Sequence, residues 1–235
     1  MRYTSRGFTL IEIAIVLVII GLLLGGVLKG QELITGARVR NLISQQDGIK
    51  AAFFGFQDRY RALPGDYSAA GTNINCGATA CAGGDGNGRV EAPNAAGTHE
   101  EILAWHHLTA AGFLNGSYVF TSGTTTPGAG NTPVNPYSVY IQLAYDNVYG
   151  DPGVATTPSK HNLKTGGQVP VEIVAEVDRK IDDGKPLAGA FQFSEYAPPG
   201  TPSGNEPQYG NCTTASGGSW YISQGETNCG ASSLF

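Results

Sequence analysis

Glu12 is the only charged residue in a run from Phe8 to Leu28 that is otherwise almost purely apolar. An ionised carboxylate in hydrocarbon costs several kcal/mol, so ionisable groups inside membrane segments are as a rule functional or paired. Three readings compete. The carboxylate, near the start of the run, could reach the headgroup layer. It could be a tolerated charge. Or it awaits a cation, and because the run holds no Lys or Arg, that cation would come from another chain.

A second place of interest is Gly84-Asp85-Gly86-Asn87-Gly88-Arg89-Val90-Glu91. Asp85, Asn87 and Glu91 offer side-chain oxygens at odd spacing, and the glycines allow a tight wrap. Hard cations such as Ca²⁺ are held by such carboxylate, amide and carbonyl oxygens, and Asp66 is a further candidate ligand. Against this, Arg89 stands where another ligand would be wanted. Glu91 closes the loop too early for an EF-hand, and no flanking helix pair is evident. The competing reading is an Asx-type glycine turn with no ion, so Ca²⁺ is a candidate cofactor and none is required.

His106 and His107 are neighbours on an expected helix and point in different directions, a poor zinc pair even with Glu100 and Glu101 close by. The run from Asp178 to Asp183 reads as a solvated helix end or as a set of salt bridges between subunits. HExxH, GxSxG, P-loop and dinucleotide patterns are missing from the sequence, which points away from an enzyme. The four cysteines are an even set, as in exported chains with two disulfides. Cys76 and Cys81 are close enough in sequence for a tight bridge, which leaves Cys212 and Cys229; the connectivity itself stays open.

These residues need elements to position them. The 235-residue chain suffices for one sizeable domain, or one domain with an anchor. Only 14% of its residues are charged and 34 are glycine, which suggests a loop-rich surface over a modest core. The net charge of −5, without a Lys/Arg run, leaves no electrostatic footprint for nucleic acid. As a helix, the 21 residues from Phe8 to Leu28 span about 30 Å, enough to cross a bilayer core. Arg2 and Arg6 precede the run, so the positive-inside rule keeps the amino end in the cytoplasm and places the chain beyond Leu28 outside.

Beyond Lys29, apolar positions recur at helical spacing (Val39, Leu42, Ile43, Ile49, Ala52, Phe53, Phe56, Tyr60) until Leu63-Pro64-Gly65-Asp66 stops the pattern. A single helix over residues 8–60 is expected, about 75–80 Å long. A long loop runs from there to Gly97. Thr98-His99-Glu100-Glu101 resembles a capping box, opening a short helix to about Ala111. Strands are expected at 118–120, 138–145, 187–193 and 219–223, loops at 122–136 and 150–168, and a helix at 170–182, with a strand as the alternative for its β-branched content. The fold class is α+β: a long helix on a small antiparallel sheet with long loops.

The stretch Gly7-Phe8-Thr9-Leu10-Ile11-Glu12, after a short basic leader and ahead of an apolar helix, resembles the class III signal of type IV pilins and type II secretion pseudopilins, over about residues 1–60. The resemblance implies a 1–7 leader, a transmembrane and assembly segment at 8–28 within the 8–60 helix, and a globular head at 61–235. It implies that prepilin peptidase cuts between Gly7 and Phe8 and that the new amine of Phe8 is methylated. That amine supplies a cation for Glu12 of a neighbouring subunit. Implied partners are other copies or related pilins, the peptidase, and an inner-membrane assembly platform with its ATPase. The head would lie in the periplasm before the subunit enters a pilus or pseudopilus. A Cys212–Cys229 bridge would resemble the carboxyl-terminal loop of pilins, and some pseudopilins bind calcium in the region of the Asp85–Glu91 loop. The chain departs from the family where many members place a helix-breaking proline: Lys29 stands there, and Gly21, Gly25 and Gly26 cluster just before it. The alternative function is a monomeric, membrane-tethered binding module on a pilin-type anchor.

Overall fold

The computed structural model describes residues 9–77, 80–154, 156–214 and 217–235. Helix α1 runs Leu10–Tyr60. The chain divides into two compact units, Met1–Arg38 and Val39–Phe235, so α1 contributes to both. In the first unit its apolar side chains are exposed, Leu10 at 89% and Leu22 at 73%, and α1 is long and apolar enough to cross a membrane. In the second unit α1 buries Val39, Leu42, Gln46, Ile49, Ala52, Phe53 and Phe56. Those positions fall three and four apart, a single helical stripe facing a core. The helix ends as Arg61 takes a left-handed conformation (φ 54°), a common way to close a helix though usually with glycine.

The second unit continues with α2 (Ala70–Asn73), α3 (Glu100–Ala110), β1 (Gln142–Asp146), β2 (Lys160–Lys164), α4 (Val171–Ile181), β3 (Phe191–Phe193), α5 (Tyr209–Cys212) and β4 (Ala231–Leu234). The strands form one antiparallel sheet in the order β1-β2-β4-β3. Long helix and small sheet match the expected α+β arrangement. Two cores flank the second stretch of α1. In one, Ile49, Phe53 and Phe56 pack with Trp105, Leu108, Leu143 and Leu163. In the other, Val39 and Leu42 join Val171, Val174 and Val177 of α4, Phe191, Phe193 and Trp220. Burying side chains of this size contributes about 1.5–3 kcal/mol each.

Several local expectations are corrected. β2 lies in the segment expected as a loop, and β4 sits inside the sheet although no strand was expected there. Lys-His-Asn-Leu-Lys and Ala-Ser-Ser-Leu lack the apolar alternation that marks a strand; their place is fixed by pairing with neighbours. Residues 118–120 are not a strand, and 219–223 reduces to an isolated Thr213–Trp220 bridge and a short 3₁₀ turn at Ile222–Gln224. α3 starts at Glu100, and His99 before it makes no side-chain cap. The structure joins Cys76 to Cys81 and Cys212 to Cys229.

Candidate functional site

Gly7 and Phe8, the expected processing residues, lie outside the described residues. Glu12 is described. Its Oε2 accepts the backbone N–H of Thr9 at 2.8 Å and the Thr9 hydroxyl at 2.7 Å, and the Thr9 Oγ1 in turn accepts the Glu12 N–H at 3.3 Å. Thr9 and Glu12 therefore form a capping box, which satisfies backbone donors that every helix start leaves open. Its sequence signal is Thr three residues ahead of Glu, a cap that the sequence reading missed. The carboxylate is thus turned toward the amino end of its own helix, close in sequence to the Phe8–Thr9 peptide. Along the same stretch, a methyl group added at Gly21, Gly25 or Gly26 would meet nothing in this chain.

Asp85, Asn87 and Glu91 do come together. The Asn87 amide nitrogen donates to Asp85 Oδ2 and to Glu91 Oε2, each at 3.1 Å, while the Asn87 Oδ1 accepts the Arg89 N–H at 2.8 Å. The NH₂ group thus occupies the point between two carboxylates that a cation would take. Asp66 and Glu100, both buried, complete the cluster: carboxylate oxygens of Asp66, Asp85 and Glu100 lie within 4.8 Å of one another. Asp66 accepts the N–H groups of Asn87 and Gly88, both at 2.9 Å. Glu100 accepts those of Asp85 at 3.0 Å and Glu91 at 3.1 Å, and the Asn94 amide at 2.7 Å. Burial raises the pKa of both carboxyls, against the pull of these donors. Glu100 was not among the expected calcium ligands; its place in Thr98-His99-Glu100-Glu101 pointed to a helix cap. Glycine is required where the loop meets the turn after α1. A side chain at Gly65 (φ 89°) would overlap the Glu100 carbonyl, and one at Gly84 would overlap the Gly65 carbonyl.

The two adjacent histidines diverge. His107 is fully buried; its Nδ1 accepts the Gly65 N–H at 3.0 Å, and its Nε2–H donates to the Ala82 carbonyl at 2.8 Å. That pair of bonds specifies the neutral ring, and burial lowers its pKa to about 4. His107 is a clamp between α3, the turn after α1 and the loop. The expectation of a solvated end at Asp178–Asp183 holds for Arg179, Lys180 and Asp183, which are exposed, and is corrected at Asp178. Asp178 is fully buried and accepts the Trp220 Nε1–H at 2.6 Å, and burial raises its pKa to about 6. Asp182 Oδ2 accepts the N–H groups of Ala190 and Phe191. Asp182 thus ties the end of α4 to the edge strand β3, and Asp178 ties α4 to Trp220.

Residues 2–28 match the family model described as the prokaryotic N-terminal methylation motif. This motif is characteristic of type IV pilins and pseudopilins and supports a pilin-like precursor; the match covers the amino-terminal segment of the chain. With the apolar helix it points to membrane anchoring. No curated protein and no solved structure gives a significant match to the chain.

Proposed function

We propose that this chain is the precursor of a subunit of a type IV pilus-like filament or a type II secretion pseudopilus. Residues 1–7 are a leader removed at Gly7–Phe8. Residues 8–28 hold the subunit in the inner membrane with its head, 61–235, in the periplasm, until an assembly platform and its ATPase draw it into the filament. The observation that carries the reading is the methylation motif at residues 2–28 joined to a helix whose apolar side chains are exposed from Leu10 to Ile34.

In such a filament Glu12 neutralises the Phe8 amine of a neighbouring subunit. Two charges that lipid would penalise become one ion pair in a dry bundle, which fixes axial register. The capping box supports this sequence of events: before processing, Thr9 keeps the carboxylate satisfied and aimed at the end where the amine will form. Gly21, Gly25 and Gly26, open on all sides in the lone chain, allow close approach of neighbouring helices. Glu12→Ala is expected to insert in the membrane and be processed but to form few or no filaments. Filaments at wild-type yield from that variant would contradict the ion-pair account and favour the tethered module.

The Asp85–Glu91 loop is closed by its own hydrogen bonds, which supports the ion-free turn over a Ca²⁺ site. Melting of the head should be insensitive to calcium and to chelator. A calcium-dependent rise in Tm that Asp85→Ala abolishes would restore the ion.

A further inference from the structure

Lys164, at the end of β2, is fully buried, and its Nζ lies 2.5 Å from Oδ2 of Asp146 at the end of β1. The other oxygen of that carboxyl, Oδ1, accepts the Asn162 amide N–H and the Val148 backbone N–H, each at 3.0 Å. Asn162 is itself fixed: its Oδ1 accepts the hydroxyl of Ser232 on β4 at 2.8 Å, and its NH₂ also donates to the Lys160 carbonyl at 3.0 Å. The Tyr196 ring covers the amine, with Nζ 5.6 Å from its centroid. Glu101, nearly fully buried on α3, hydrogen-bonds His99 Nδ1 through Oε1 at 2.7 Å, while its Oε2 has no hydrogen-bond partner among the described residues. None of these groups serves filament assembly through α1.

We propose that Lys164 and Asp146 condense into an intramolecular isopeptide bond that joins β1 to β2. A proton first passes from Nζ to Oδ2 across their contact, leaving an uncharged amine and an uncharged acid; burial disfavours the ammonium and lowers the Lys164 pKa. The Nζ lone pair then attacks Cγ. Negative charge develops on Oδ1, where the N–H groups of Asn162 and Val148 already point, in the manner of an oxyanion hole. A second proton passes from the nitrogen to Oδ2, which leaves as water. One C–N bond forms, one C–O bond breaks, and the products are an amide and one water. Holding amine and acid in contact supplies the proximity the step needs. The amide also removes two charges that are costly to bury.

The test is the intact mass of the full-length chain after complete reduction of its disulfides, combined with tryptic mapping. The proposal expects a mass one water below that of the sequence with its actual amino terminus, no cleavage after Lys164, and a branched peptide joining the segments with Asp146 and Lys164. Lys164→Arg should carry its full sequence mass. Asp146→Asn should lose ammonia in place of water, an outcome no ion pair produces. Wild-type protein at full sequence mass, cleaved normally after Lys164, would overturn the proposal. Amino-terminal processing is read from a different fragment, so this result and the filament reading stand or fall separately.

Discussion

Two stretches of one helix obey different rules. From Val39 to Tyr60, α1 buries a stripe at three- and four-residue spacing and supplies side chains to both cores of the second unit. From Leu10 to Ile34 the apolar residues go all the way round and stay exposed. Periodicity is the difference. A stripe names one partner surface and is satisfied inside the chain, whereas an unpatterned apolar run must find lipid or other chains. Apolar content alone therefore does not measure contribution to the fold, and the polar exceptions mark the same division. Gln46 in the second stretch is buried, while Glu12 in the first is capped by Thr9.

The sharpest way to break this comparison is to truncate one residue in each stretch. Phe56→Ala, at a fully buried site, should destabilise the head by about 3–5 kcal/mol. Leu22→Ala, at a site 73% exposed, should leave head unfolding within about 0.5 kcal/mol of wild type. Denaturant unfolding of both variants in detergent gives the answer, and equal losses would mean that the first stretch also supports the head.

A smaller effect separates the stretches by pH. His107 holds its folded pKa near 4, below the roughly 6.5 of an unfolded histidine. Its contribution is therefore complete above pH about 6.5 and is lost as pH falls toward 4, up to about 3 kcal/mol in all. Buried carboxyls with raised pKa (Asp66, Glu100, Glu101, Asp178) have the opposite sign: what they contribute is present in acid and fades as pH rises through their folded values. The stability advantage of wild type over His107→Gln should thus shrink between pH 6.5 and 4. A constant gap would contradict the neutral clamp. The smallest expected effect falls on the first stretch. Thr9→Ala removes one side of the capping box and should cost about 0.5–2 kcal/mol of local helix stability, seen as faster amide exchange in the first turn of α1 with no change in the head.

The same contrast explains what could be read in advance. α1 and α4 were legible because their apolar residues repeat at helical spacing, and the motif around Gly7 and Glu12 was legible because it is contiguous. β2 and β4 were hidden because Asn162, Lys164, Ser232 and Ser233 are buried polar residues, placed by strand pairing and by partners far away in sequence. Asp85, Asn87 and Glu91 could be found from local spacing, and Asp66 could be named beside them. Glu100 could not, since it reaches the cluster only once α3 has packed beside the turn after α1. Asp178 looked like surface charge for the same reason, since its partner Trp220 is 42 positions away.

The central claim is that this chain is a processed filament subunit, and the amino terminus of the protein from its native membranes tests it most directly. Mass spectrometry with fragmentation at that end should find a chain that begins at Phe8 and carries a methyl group on its amine. A chain that still begins at Met1 throughout, in assembled material as well as in the membrane, would contradict the account and leave α1 as a plain anchor.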